Sequence, residues 1–155
     1  MKIISGGQTG VDRAALDVAL KHRIKCGGWC PSGRTDEDGK IPDRYPLKEL
    51  KDGDNEARTE ENVRDSDGTI IFYFHELSGG TAYTVGCCIE DRQPHRLIDA
   101  AKYLPEDAAA LMVRFIVDHD IDTLNVAGPR ASEWAGGYDY TFRAMDVLVS
   151  RLKRY

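Results

Sequence analysis

The sequence predicts an α/β protein: five short strands in a mostly parallel sheet, helices on both faces, one domain over residues 1–155. Two observations carry this. Apolar runs too short for helices alternate with segments whose apolar residues recur at helical spacing. The chain has 155 residues, 41% hydrophobic and 30% charged, which suits one globular domain with a real core. No repeat, linker or low-complexity segment divides it. Connections between parallel strands cross over through helices, so the loops that follow the strands emerge on one edge.

Lys2 to Ser5 reads as a short buried strand. Val11, Ala14, Ala15, Val18 and Ala19 then recur at i, i+3, i+4, i+7, i+8, a helix with one apolar face. "IKCGGWCP" supplies a second strand that stops at Pro31. The polar stretch from Ser32 to Ala57 is too long for a plain connection, and such loops are functional or mobile. A helix is expected from Thr59, with Thr59 as N-cap and Glu60 and Glu61 in its first turn. "DSDG" turns the chain into Thr69 to Phe74, the strongest strand signal. An apolar helix from Ala82 to Asp91 and a strand from Arg96 to Asp99 follow. Ala108, Leu111, Met112, Phe115 and Ile116 mark the next helix. "DTLNVAGPR" carries a fifth strand ending at Gly128, and Phe142, Met145, Val149 and Leu152 lie on one face of the last helix.

The net charge is −5 and no long basic run exists, which argues against nucleic acid as a partner. No apolar run approaches membrane-spanning length and the N-terminus lacks a signal-peptide layout, so a cytoplasmic protein with no membrane partner is expected. Cys26 and Cys30 have C-x3-C spacing, but no second pair completes a zinc pattern, and with Cys87 and Cys88 they read as free buried thiols. No metal site is expected. The four histidines form no triad, and His22 and His119 fall near helix C-termini.

The unusual residues sit in the loops after strands, where sheets of this class bind ligands. "GGQTG" (Gly6, Gly7, Gln8, Thr9, Gly10) follows the first strand, "SGGT" (Ser78, Gly79, Gly80, Thr81) the third, and "GPR" (Gly128 to Arg130) the fifth. Helix starts expose free N–H groups and partial positive charge, and glycine lets the backbone approach a phosphate. Neither loop is a dinucleotide fingerprint or a P-loop. A tight strand-to-helix turn explains one such loop; two on one edge point to a bound anion. Thr9 and Asp12 have capping-box spacing, which makes Asp12 structural, and Thr81 is a natural N-cap. Gln8 has no evident structural task and is free to face a ligand. Of Arg13, Arg34, Arg58 and Arg130, the strand-end Arg130 is the best phosphate ligand, with Arg34 next, folding over the edge.

"SGGQTGVDRAALDVAL", "GGWCPSGRTDEDGKIPDRYPLKEL", "RTEENVRDSDGTIIF", "SGGTAYTV" and "LNVAGPR", in this order, resemble the molybdenum cofactor carrier family. That family is similar in turn to the Lonely Guy ("lysine decarboxylase-like") superfamily, of which it looks like a circularly permuted branch. The resemblance implies a Rossmann-like three-layer sandwich with strand order 2-1-5-3-4, which sets the Gly128 loop between the other two. It also implies a nucleotide-like or phosphorylated ligand, with molybdenum cofactor as cargo, and a homo-oligomer, a dimer or tetramer. The helix bearing Ala82, Val85, Cys87, Cys88 and Ile89 is the candidate subunit contact. Lonely Guy phosphoribohydrolases carry a catalytic glutamate in this motif, and Thr84 holds its position here. A carrier without turnover is therefore expected, with a nucleotide-processing hydrolase or transferase as the alternative. A carboxylate from the long loop lying over the glycine edge would favour the alternative. Pterin phosphates, nucleotides and free oxyanions all suit these loops.

Overall fold

The computed structural model describes residues 1–154. Its elements run β1 (Lys2–Ile4), α1 (Val11–Lys21), β2 (Cys26–Gly27), β3 (Trp29–Cys30), a 3-10 turn (Ser32–Arg34), β4 (Thr35–Asp36), β5 (Gly39–Lys40) and β6 (Lys48–Glu49). Then come α2 (Asn55–Arg64), β7 (Gly68–Tyr73), α3 (Gly79–Glu90), β8 (His95–Asp99), α4 (Pro105–Asp118), β9 (Thr123–Ala127) and α5 (Gly137–Leu152).

The main sheet has the order β2-β1-β9-β7-β8, and every pairing in it is parallel. Counting only its five strands along the chain, this is 2-1-5-3-4, the expected order. The last strand sits in the centre, with Ile3 beside Leu124 on one flank and Ile70 beside Val126 on the other.

Alternation along the strands divides the core. Ile70 and Phe72 face a layer built from α1, α4 and α5, where Ala15, Val18, Met112, Ala144 and Leu148 are buried. Ile71 faces the other layer, packing with Val63 of α2 and with Cys87 and Cys88 of α3. The four cysteines are free thiols, and burial pushes the Cys88 thiol up to about 11. Two residues of the expected subunit contact, Cys87 and Cys88, thus face the core, while Ala82 and Ile89 of the same helix are exposed. His22 and His119 are the C-caps of α1 and α4.

Several local expectations need correction. The second strand splits into β2 and β3 because Gly28 adopts φ +124 and lies against the Ser5 backbone, with no room for a side chain. The long polar stretch, no plain connection as expected, carries ladders that were not foreseen: β3 pairs with β6, β4 pairs with β5, and Ile41 and Tyr45 bury themselves against Leu16 and Cys30. Helix α2 starts at Asn55, capped by Asp54, whose carboxylate accepts from the Ala57 N–H at 2.8 Å; Thr59 lies inside it. Helix α3 starts at Gly79 with Ser78 as N-cap, three residues before the expected start, so Thr81 lies within its first turn.

Candidate functional site

The turn between β1 and α1 is filled by the protein itself. A Cβ on Gly6 would collide with the Arg58 guanidinium, and one on Gly7 (φ +78) with Leu47. At Gly10 (φ +82) it would come within 2.7 Å of the Pro129 carbonyl oxygen and 2.8 Å of the Ala131 nitrogen. These glycines let other segments close in on the turn.

Gln8 and Thr9 have structural tasks that the sequence did not show. The Gln8 side-chain oxygen accepts from the N–H groups of Thr9 (3.1 Å) and Glu37 (2.9 Å). The Thr9 hydroxyl donates to Glu37 at 2.5 Å and accepts from the Ala131 N–H at 3.1 Å. Glu37 also accepts from the Ser132 N–H (3.1 Å) and hydroxyl (2.5 Å). One carboxylate of the long loop therefore ties the β1–α1 turn to the segment after β9, and these hydroxyl bonds hold Glu37 below the usual carboxylate range. The expected capping box is absent: Gly10 is the N-cap of α1, with no side-chain bond, and Asp12 instead accepts from the Gln8 N–H at 3.3 Å. The Thr9 hydroxyl is drawn away to Glu37 and Ala131.

Arg34 does not fold over the sheet edge. It donates to the carbonyls of Pro42 (2.8 Å), Tyr45 (3.1 Å) and Leu47 (3.3 Å), stapling its own loop. Arg13 bridges the Gly7 carbonyl (3.0 Å) and Asp36 (2.7 Å) while covering the Tyr45 ring.

The start of α3 is different. A Cβ on Gly80 would meet nothing within 4 Å, and one on Gly79 (φ +52) only a Glu133 oxygen at 3.9 Å. Here a helix start with free N–H groups borders an open cleft, with Gly80 and Thr81 on its wall. The cleft brings together Gln8, Gly80, Thr81, Gly128 and Arg130 of the expected site. Gly6, Gly7, Thr9, Gly10, Arg34, Ser78 and Gly79 do not line it. Gly128 is there for packing as well, pressed against Val11 and the Phe72 carbonyl.

Asp12, Thr59, Tyr83 and Glu133 line the cleft without having been expected there; Pro129 joins them from the expected Gly128–Arg130 loop, and Arg58 from the four arginines weighed as phosphate ligands. Arg58 is its most enclosed cation. Its side chain is 14% exposed and pairs with Asp12 at 3.6 Å, while its Nε is buried with no partner. Burial pushes the Asp12 carboxyl above its ordinary value, against the pull of Arg58 and the Gln8 N–H. Arg130 pairs with Glu133 at 2.8 Å, and that pair is about 40% exposed (39% and 41%). An incoming anion would trade this exposed pair more cheaply than the buried one. The Thr84 hydroxyl donates to the Gly80 carbonyl of its own helix at 3.0 Å. Reading Asp54 as a cap and Glu56 as a first-turn acid would have put Arg58 one turn before the inward-facing Asn62, and so raised it above Arg34.

A five-stranded parallel sheet whose last strand is inserted in the middle, with an open cleft among its strand-end loops, is the setting for the comparison with known proteins. The model of the circularly permutated YpsA SLOG family matches residues 3–149. The chain belongs to that family. In this SLOG chain the insertion of β9 between β1 and β7 is what sets the Gly128–Arg130 loop beside the start of α3. Among solved structures it is similar to a protein of Syntrophus aciditrophicus described as "Putative molybdenum carrier protein". The two are 47% identical with a TM-score of 0.93, over 96% of this chain and 94% of the other. A comparison with curated proteins gives no match. Among the described residues no helix is long and apolar enough to cross a membrane.

Proposed function

We propose that this SLOG chain is a binding protein for a phosphorylated small molecule, held at the carboxyl edge of the sheet. A pterin phosphate such as molybdenum cofactor, or a related nucleotide-like ligand, is the class that fits best. The observation that carries the reading is the convergence of Arg58, Arg130 and the open start of α3 on one cleft. A helix start contributes roughly 0.3–1 kcal/mol to an anion in an exposed setting. A charge-assisted arginine bond adds roughly 1.5–3 kcal/mol. Arginine therefore decides affinity, and the glycines decide access. The similar protein's description as a molybdenum carrier agrees with this class. Any molybdenum would arrive as part of the cargo.

The protein is also read as a cytoplasmic homo-oligomer, with exposed Ala82 and Ile89 of α3 as part of the contact. Native mass spectrometry of protein purified from its own host tests both parts. A co-purified mass matching a phosphorylated pterin or nucleotide, on a dimer or tetramer, is expected. A bare monomer that takes up neither would refute the reading.

One observation favours the alternative of a nucleotide-processing enzyme. Asp12 places a carboxylate with a raised pKa on the cleft wall, although Thr84 offers none. Glu37, the long-loop carboxylate that lies over the glycine edge, is occupied by Thr9 and Ser132 and does not line the cleft. Release of free base from nucleoside monophosphates, lost in Asp12→Asn, would establish the enzyme; no release supports the carrier.

A further inference from the structure

We propose that Phe74 and Trp134 form a stacking shelf for the flat heteroaromatic ring of the ligand whose phosphate the cleft takes, an inference that rests on the phosphate reading of that cleft. Phe74 is the first residue after β7 and is 54% exposed, unusual for a phenylalanine at the end of a buried strand. Its ring stacks on Trp134, with centroids 6.0 Å apart and an interplanar angle of 28°.

Both rings are held in place. The Trp134 indole is backed by Tyr140 at 5.7 Å and by Gly137, where a Cβ would come within 2.9 Å of it. His75, the residue after Phe74, takes the left-handed conformation (φ +66), and its N–H is fixed by Asp99 at 2.8 Å. Asp99 also accepts from the Ala101 N–H at 2.9 Å. A non-glycine residue held at positive φ by a buried carboxylate keeps the strand end in one conformation, with Phe74 turned outward.

The chain joins the shelf to the cleft at two places. Trp134 directly follows Glu133, which lines the cleft and lies closest to Gly79. Phe74 and Gly79 bound the single short connection between β7 and α3. A ligand with its phosphate at Gly80 and Arg130 therefore has an aromatic face along the same edge for a purine or pterin ring.

The test uses the full chain. Trp29 and Trp134 are its two tryptophans, so Trp29→Phe leaves Trp134 as the sole indole reporter. This background is titrated with GMP, neopterin phosphate, their unphosphorylated forms, and ribose 5-phosphate. GMP or neopterin phosphate should quench Trp134 emission and bind about tenfold more tightly than ribose 5-phosphate, the scale of one ring–aromatic stack. Phe74→Ala and Phe74→Leu should abolish that advantage and leave ribose 5-phosphate affinity unchanged. Thermal unfolding verifies that both variants are folded. If ring-bearing and ring-free phosphates bind alike, or Phe74→Ala weakens both equally, the shelf is refuted and the phosphate cleft stands. If guanosine or neopterin binds as tightly as its phosphate, with quenching, the shelf stands and the phosphate reading falls. If no probe binds, both are overturned.

Discussion

Ser5–Gly10 after β1 and Ser78–Thr81 after β7 both place paired glycines between a strand and a helix on the same edge of the sheet. Around the first, every glycine is in contact: Gly6 with Arg58, Gly7 with Leu47, Gly10 with Pro129 and Ala131. Around the second, Gly80 faces open space and Gly79 meets only a distant carboxylate. The same residue type thus serves two physical ends. One turn spends its missing side chains on close packing, with an arginine over Gly6 where an anion would otherwise approach. The other keeps the start of its helix accessible. A glycine-rich turn becomes a ligand site only when nothing of the protein's own has filled it.

Substitution at the packed turn should have the largest effect. Gly10→Val puts a branched side chain at φ +82 against the Pro129 carbonyl, which cannot retreat without moving the end of β9. A loss of about 3 kcal/mol in denaturant unfolding is expected. A variant as stable as the parent would break the contrast between the turns.

The two cleft arginines sharpen it. Arg58→Ala leaves Asp12 buried without its cation and should cost about 2–3 kcal/mol. This lies below the roughly 3–5 kcal/mol usual for a broken buried pair, because Asp12 keeps the Gln8 N–H and can take up a proton. Arg130→Ala breaks a half-exposed pair and should cost under about 1 kcal/mol. Calorimetric titration with GMP should nonetheless show Arg130→Ala binding about tenfold more weakly. Equal stability losses in the two variants would contradict the burial argument.

A smaller effect is expected at the tie between the loops. The folded-state pKa of Glu37 lies below its ordinary value of 4.5, so its contribution is present above that value and is lost as pH falls through the folded one. Glu37→Gln should lower Tm by about 2–4 °C at neutral pH, and the gap should close on acidification. A gap that stays constant into acid would show that the charge plays no part.

Much of the architecture was legible in the residues. The alternation of apolar runs with helical spacing located the main strands and helices, and the family resemblance ordered the sheet. The two-residue strands β3 to β6 were not legible, because no periodicity can develop over two residues, and β3 finds its partner β6 far along the chain. Gln8, Thr9 and Arg34 read as ligand-facing because their partners, Glu37, Ala131 and three carbonyls, are fixed only by tertiary contacts. Arg58 was among the arginines weighed but was ranked behind Arg130 and Arg34 for one local reason: the Asp54 cap went unread, so its helix was started one turn too late.

The open turn offers the most direct test of the central claim, that the ligand's phosphate sits at the start of α3. Gly80→Val adds a side chain where a Cβ meets nothing, at the cleft wall, without positive φ. It is a cleaner probe than Gly79→Val, which would strain the backbone at φ +52. Titration calorimetry of GMP into parent and Gly80→Val, with unfolding measured on the same samples, reads both quantities. Stability should change by no more than about 1 kcal/mol, while binding falls at least tenfold. Undiminished binding in a stable Gly80→Val protein would place the ligand elsewhere and contradict the account.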